Sequence, residues 1–192
     1  RRVGRFQSAP PLPRPGAACY ACRMNPALPL EHFVPDAEAR SLDDGRVFVY
    51  GSYDIPGDRF YCSREYHAFS SRDLVAWTHH GVSFSTDDEA LGPDWRGRTL
   101  FAPDCIRIGD RYHLFFCTSA DGEGVATSAA PEGPFADPRP IAGAHGDAID
   151  PAVFVDDDGS VYYYWGQFHL RGARLRPDGA SIDPTTLETH LV

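Results

Sequence analysis

The chain has 192 residues, 42% hydrophobic and 12% aromatic, which is enough for one domain with a core and too apolar for a disordered segment. Its formal net charge of −9 argues against nucleic acid or an anionic membrane surface as partner, since both want a basic patch, and is compatible with a neutral partner such as a sugar. No run approaches the roughly 18 apolar residues of a membrane-spanning helix, and the first residues lack the apolar stretch of a signal peptide, so the expected compartment leans to the cytoplasm.

Residues 1–23 start with Arg rather than Met and carry Pro10, Pro11, Pro13 and Pro15. Such a stretch stays extended and is set apart as a Pro-rich tail or linker. Cys19 and Cys22 form a lone C-x-x-C; one pair within an odd total of five cysteines predicts neither a disulfide scaffold nor a zinc site.

The predicted domain occupies residues 24–192. Short aromatic and β-branched runs alternate with Asp, Gly and Pro, and nothing long has a helical period, so the fold class is all-β. Three runs share one form: SLDDGRVFVYGS at 41–52, RIGDRYHLFFCTS at 107–119 and FVDDDGSVYYYWGQ at 154–167. Each is a tight acidic turn with glycine followed by a strand, as a hairpin requires. The turn glycines, Gly45, Gly109 and Gly159, are spaced 64 and 50 residues apart. Hairpin units repeating about every 40–50 residues are a β-propeller signature, with about four strands per blade. After the first hairpin, residues 61–84 predict two more strands around Ser71-Arg72-Asp73. Residues 124–141 predict a strand and a Gly-Pro turn, and residues 170–184 repeat the pattern. That makes about three blades, whereas rings typically have 4–8; the expectation is an incomplete ring.

An aspartate stands near the head of the first strand of each unit: Asp36, Asp104 and Asp150, each beside a proline (Pro35, Pro103, Pro151). Asp36 and Asp150 lie nine residues before their turn glycines and Asp104 five before its own. First strands line a propeller's axis, so the three carboxylates are expected to converge there, where burial and mutual repulsion raise at least one pKa. Pro151 predicts an extended backbone at Asp150. Convergent carboxylates among aromatic rings suit glycoside hydrolysis, in which one activates water and another protonates the leaving oxygen. The alternative is that each caps a turn. Asp156-Asp157-Asp158-Gly159 lacks the EF-hand spacing and terminal Glu and predicts a hairpin turn. His79 and His80, adjacent on a strand, face opposite sides, and no metal site is predicted. His145-Gly146-Asp147 is a polar loop just before Asp150.

At these residues the chain resembles glycoside hydrolase family 43, from about Asn25 to the end. NPALPLEHFVPDAEA followed by VFVYGSYD resembles the family's opening; SSRDLVAWTHHG, LFAPDCI, SAAPEGPF and IDPAVFVDDDGSVYYYWG are similar to its later motifs, in order. The resemblance implies a five-bladed β-propeller, with this chain its N-terminal portion. It implies inverting hydrolysis of arabinose- or xylose-containing glycans, of α-L-arabinofuranosidase or β-xylosidase type, with an oligo- or polysaccharide as partner. Asp36 would be the general base and Asp150 the pKa modulator. Tyr53, Phe101 and Ile149 would line the sugar subsite. Asp104 and Trp165 are further candidates for substrate contact, with a structural role competing at the first and a core role at the second. The family's general acid is a glutamate in a Glu-Gly motif on the blade after Asp150. None follows Trp165: Glu188 lacks the glycine, and Glu123 and Glu132 come too early. This chain alone is therefore expected to be close to inactive. An axial calcium would draw on later blades, so no cofactor is expected within this chain. A non-catalytic carbohydrate-binding or protein-interaction propeller is the alternative.

Overall fold

A computed structural model describes residues 27–42, 44–120 and 122–191. The Pro-rich stretch 1–23, with Cys19 and Cys22, lies outside the described residues. Among the described residues, three antiparallel sheets follow one another along the chain. The first contains β1 (Glu38–Ser41), β2 (Val47–Gly51), β3 (Glu65–Ser71) and β4 (Trp77–Ser85), in that spatial order. The second repeats it with β5 (Asp104–Ile108), β6 (Arg111–Thr118), β7 (Gly122–Ser128) and β8 (Ala136–Pro140). The third has β9 (Ala152–Val155), β10 (Val161–Trp165) and β11 (Arg171–Arg174), with β10 central. These meanders are three successive blade-like units, as the repeat predicted. Gly45, Gly109 and Gly159 close the first hairpin of each at φ of 78°, 63° and 82°, a left-handed backbone that glycine adopts without steric cost. A 3-10 turn at Pro184–Thr186 is the only helical element among the described residues, and no helix there is long and apolar enough to cross a membrane.

The sheets stack through two cores. Between the first and second lie Phe48, Tyr50, Tyr66, Phe84, Leu114 and Phe116. Between the second and third lie Phe115, Val125, Val153, Tyr163, Trp165 and Ile182. Strand β6 serves both, because side chains alternate across a strand: Leu114 and Phe116 face one way and Phe115 the other. Each fully buried ring contributes roughly 1.5–3 kcal/mol relative to exposure. Close packing also dictates Gly124, opposite Phe116 in the β6–β7 register, where a Cβ would come within 2.6 Å of the Phe116 ring. Polar contacts join the sheets as well; the Tyr50 hydroxyl donates to the Pro131 carbonyl at 2.7 Å, and the Tyr66 hydroxyl donates to the carbonyl of Phe101.

His79 and His80 point to opposite faces of β4, the first stacking on His67 and the second on Phe48. The segment 156–160 is the predicted hairpin turn, closed by bonds from Gly159 N to Asp156 O (2.9 Å) and from Asp156 N to Ser160 O (2.9 Å).

Candidate functional site

The first strands β1, β5 and β9 lie side by side, β5 between the other two. Asp36 and Asp150 each stand two residues before their strand, at the same end of the stack, and both side chains are exposed there. Both also have left-handed backbone, φ 52° and 57°. This corrects the extended backbone expected at Asp150. Aspartate is among the few non-glycine residues that enter this region, at a cost on the order of 1–3 kcal/mol. The neighbouring bonds hold it there: Gly166 N donates to Ile149 O at 2.9 Å, and Val153 N donates to Asp104 Oδ2 at 2.7 Å. Partial burial, with the nearby charge of Asp36, pushes the Asp150 carboxyl above the ordinary range. The predicted convergence therefore holds for this pair.

It does not hold for Asp104. The five-residue spacing to Gly109 reflects a place at the first position of β5, two residues deeper than Asp36 and Asp150 in their units. Asp104 is 2% exposed. Its carboxylate takes a forked bond from Arg40 of β1 (Nε 3.0 Å and Nη2 2.7 Å to Oδ1) and the amide of Val153 in β9. Arg40 Nη2 also donates to Val153 O at 3.1 Å. One carboxylate thus ties three first strands together and has no surface left for a substrate; the candidate role in substrate contact is replaced by a structural one. Trp165 is likewise core, 1% exposed and stacked on Tyr163 with centroids 5.5 Å apart. It forms no aromatic wall.

The three remaining subsite candidates lie at the Asp36–Asp150 end. Tyr53, just beyond β2, is held from two sides. Its ring stacks on His67 at 3.8 Å and 10°, and its hydroxyl pairs with His32 Nδ1 at 3.0 Å. His67 in turn pairs with His79 (Nδ1 to Nε2, 2.8 Å) and approaches Glu65 (3.4 Å). Burial lowers the pKa of both His67 and His79, which favours the neutral rings that an N–H···N bond needs. Phe101 is fixed through its backbone, its N–H donating to Cys117 O at 3.0 Å. Phe101 and Ile149 face one pocket of about 270 Å3 between the second and third sheets.

Sequence reasoning missed Arg40, and weighed Glu123 only as a general acid that comes too early without foreseeing its burial. Arg40 was legible in principle, since a cation on an axial strand needs a buried partner. Glu123, on β7 opposite Cys117, gave no signal of that burial. It is 5% exposed, and neither carboxylate oxygen has a hydrogen-bond partner. Burial pushes its pKa up to about 8; the Tyr163 hydroxyl opposes this without reaching hydrogen-bond geometry, and the charge of Asp150 adds to it. Below pH about 4.5 the proton is held in folded and unfolded chain alike. Between that value and about 8 only the folded chain keeps it, so stability falls as pH rises, by about 1.4 kcal/mol per pH unit. Glu123→Gln removes this slope. Urea melts of both proteins are expected to show their stability difference shifting by roughly 3 kcal/mol between pH 5.5 and 7.5, in favour of the variant. Parallel profiles would show that Glu123 ionises normally when folded.

Among the described residues no group of three His, Cys, Asp or Glu side chains is arranged to hold a metal. No step below runs through an ion.

Residues 26–190 match the model of glycosyl hydrolases family 43. A xylosidase/arabinosidase of Humicola insolens is 40% identical over 140 residues, covering 64% of this chain and 40% of that protein. An arabinoxylan arabinofuranohydrolase of Bacillus subtilis (strain 168) is 35% identical over 150 residues, covering 64% and 29%. Among solved structures, a β-xylosidase/α-arabinofuranosidase from a compost microbial metagenome, in complex with xylotriose, superposes with a TM-score of 0.69 at 30% identity, covering 85% of this chain and 60% of that one. The chain spans two fifths or less of the length of these two curated relatives.

Proposed function

The chain belongs to glycosyl hydrolases family 43, and we propose on that premise that it serves hydrolysis of O-glycosidic bonds in arabinose- or xylose-containing glycans, by single displacement with inversion. The observation that carries this is the Asp36–Asp150 pair: two exposed carboxylates at one end of the first strands, both on left-handed backbone, with the Asp36 charge acting on Asp150. An inverting site needs one carboxylate to take the proton of the attacking water and a separate proton source for the leaving oxygen, with room between them for the water. Asp36 is the base. Asp150, which holds its proton more tightly than an ordinary aspartate, fits the modulating role. The donor is assigned to no residue of this chain. Glu123 is followed by glycine, but both its oxygens are buried away from any substrate. The sugar is expected against Tyr53, Phe101 and Ile149, and the xylotriose complex of the metagenomic relative supports a pentose chain as ligand.

The test is the configuration of the product. The intact gene product, incubated with arabinoxylan oligosaccharides, is expected to free pentose whose first-formed anomer, read by proton NMR before mutarotation, is inverted relative to the bond cleaved. A retained anomer would refute the single displacement. Saturable sugar binding with no release would favour the non-catalytic carbohydrate-binding alternative.

A further inference from the structure

Tyr53 is seated on imidazoles from three parts of the chain: His32 from the segment before β1, His67 from β3 and His79 from β4. The Tyr53 ring lies flat on His67, centroids 3.8 Å apart. His67 stacks in turn on His79 at 5.0 Å, and His79 on Phe69 at 4.7 Å. The His32 ring stands 4.3 Å from His79 and meets Phe69 edge-on at 5.0 Å. Stacking sets the plane of the Tyr53 ring, and the bond between its hydroxyl and His32 Nδ1 sets its direction. The phenol is therefore only as well placed as the imidazoles beneath it.

The group can hold few protons. His67 Nε2 lies 3.4 Å from the Glu65 carboxylate. A proton on that nitrogen leaves Nδ1 an acceptor, so His79 donates from Nε2 across their 2.8 Å bond. One added proton is tolerated, because on His79 Nδ1 it leaves the donating Nε2–H in place. A second is not: two N–H groups would then face each other across the same gap. Neighbouring rings oppose charging as well. Burial favours the neutral form of both His67 and His79, and a charge on His32 acts in the same direction, while Glu65 opposes it at His67. His80, turned to the other face of β4 against Phe48, adds to the repulsion at His79. Glu65 and Glu31 are the charges that bear on the Tyr53 phenol itself. Both imidazole values are lowered from 6.5, so the neutral seat is complete above that pH and is lost as pH falls through the lowered values.

We propose that His67 and His79 are positioning residues of the sugar site: together they hold the Tyr53 ring in place while the pair carries at most one proton and release it in acid, which adds an imidazole limb to the pH dependence of sugar affinity. This role rests on the glycan reading above. It is tested on the intact gene product, with Asp36→Asn present throughout so that xylotriose persists. In calorimetry, xylotriose affinity is expected to fall between pH 7.5 and 4.5 by about five- to tenfold more in this parent than in its derivative with His67→Phe and His79→Phe, whose stacked rings do not titrate. Asp150 is present in both proteins, so its own titration cancels from the comparison. In the parent, saturating xylotriose is expected to move the titrations of the His67 and His79 C2 protons, followed by NMR, to lower pH, because a ligand that needs the neutral pair must favour it. An equal fall in affinity in the folded derivative would overturn the positioning role. Imidazole titrations unmoved by xylotriose would overturn it too, whether or not the derivative folds. Failure of the parent to bind xylotriose at pH 7.5 would overturn the glycan reading itself, and this role with it.

Discussion

Asp36→Asn in the intact gene product is expected to lower pentose release by about 10²–10⁴-fold while xylotriose affinity changes only a few-fold. Asparagine keeps the shape of the side chain and removes the site at which a proton from water can be taken. It also tolerates the left-handed backbone of position 36, φ 52°, where alanine would add strain to the loss of chemistry. The effect should fall on kcat more than on KM, because the water is activated in the transition state and not in the ground state. The same change should release Asp150 from a neighbouring negative charge and lower its pKa towards the ordinary range, readable as a carboxyl shift in a carbon-13 NMR titration. A variant with full kcat would remove Asp36 from the mechanism; full loss with an unmoved Asp150 would mean that the two carboxylates do not communicate.

The second large effect concerns folding. Asp104→Ala is expected to destabilise by about 3–5 kcal/mol, a large share of the roughly 5–15 kcal/mol of a typical domain. The substitution leaves the Arg40 guanidinium without its forked partner and the amide of Val153 without an acceptor. Most of the loss is the cost of a partly buried cation left unpaired, rather than the intrinsic value of the pair. Removing both partners should therefore hurt less than removing one. The double variant Arg40→Met with Asp104→Ala is expected to regain a good part of the stability in urea melts, and a double-mutant cycle should give a coupling of at least about 1 kcal/mol. Additive losses would mean that Arg40 and Asp104 do not act as a unit.

Sequence pattern reached far into this fold because its signals are local. The turn glycines, the aromatic runs after them and the Asp73 turn between β3 and β4 each depend on a few neighbouring residues, and all are where they were expected. The Asp36–Asp150 pair was legible for the same reason, as a fixed offset from a turn. Asp104 was misplaced because it was grouped with the other two as an aspartate near a strand head, although its five-residue offset from the glycine already differed from their nine; it is the first residue of β5, whereas they stand two residues before their strands. Counted from the strand head, Asp104 is no longer equivalent to the other two. The backbone at Asp150 went against the rule for residues before proline because bonds from Gly166 and to Asp104 outweigh a local preference. Glu123 was out of reach altogether: its burial is created by the packing of the third sheet on the second, which no window of sequence contains.

Strand β6 carries a consequence for how its own alignment is specified. In a sheet with one wet face, a one-residue slip is punished by solvent, because it turns every apolar side chain outward. Both faces of β6 are dry. Slipping it would exchange Leu114 and Phe116 for Phe115 and its neighbours, grease for grease, and water would register little difference. Volume has to discriminate instead. Phe116 fits only because position 124, across from it, carries no side chain; a single added carbon there would lie 2.6 Å from the ring. The alignment of the central sheet is thus encoded by bulk against absence of bulk, and its information resides in a methyl group that is not there.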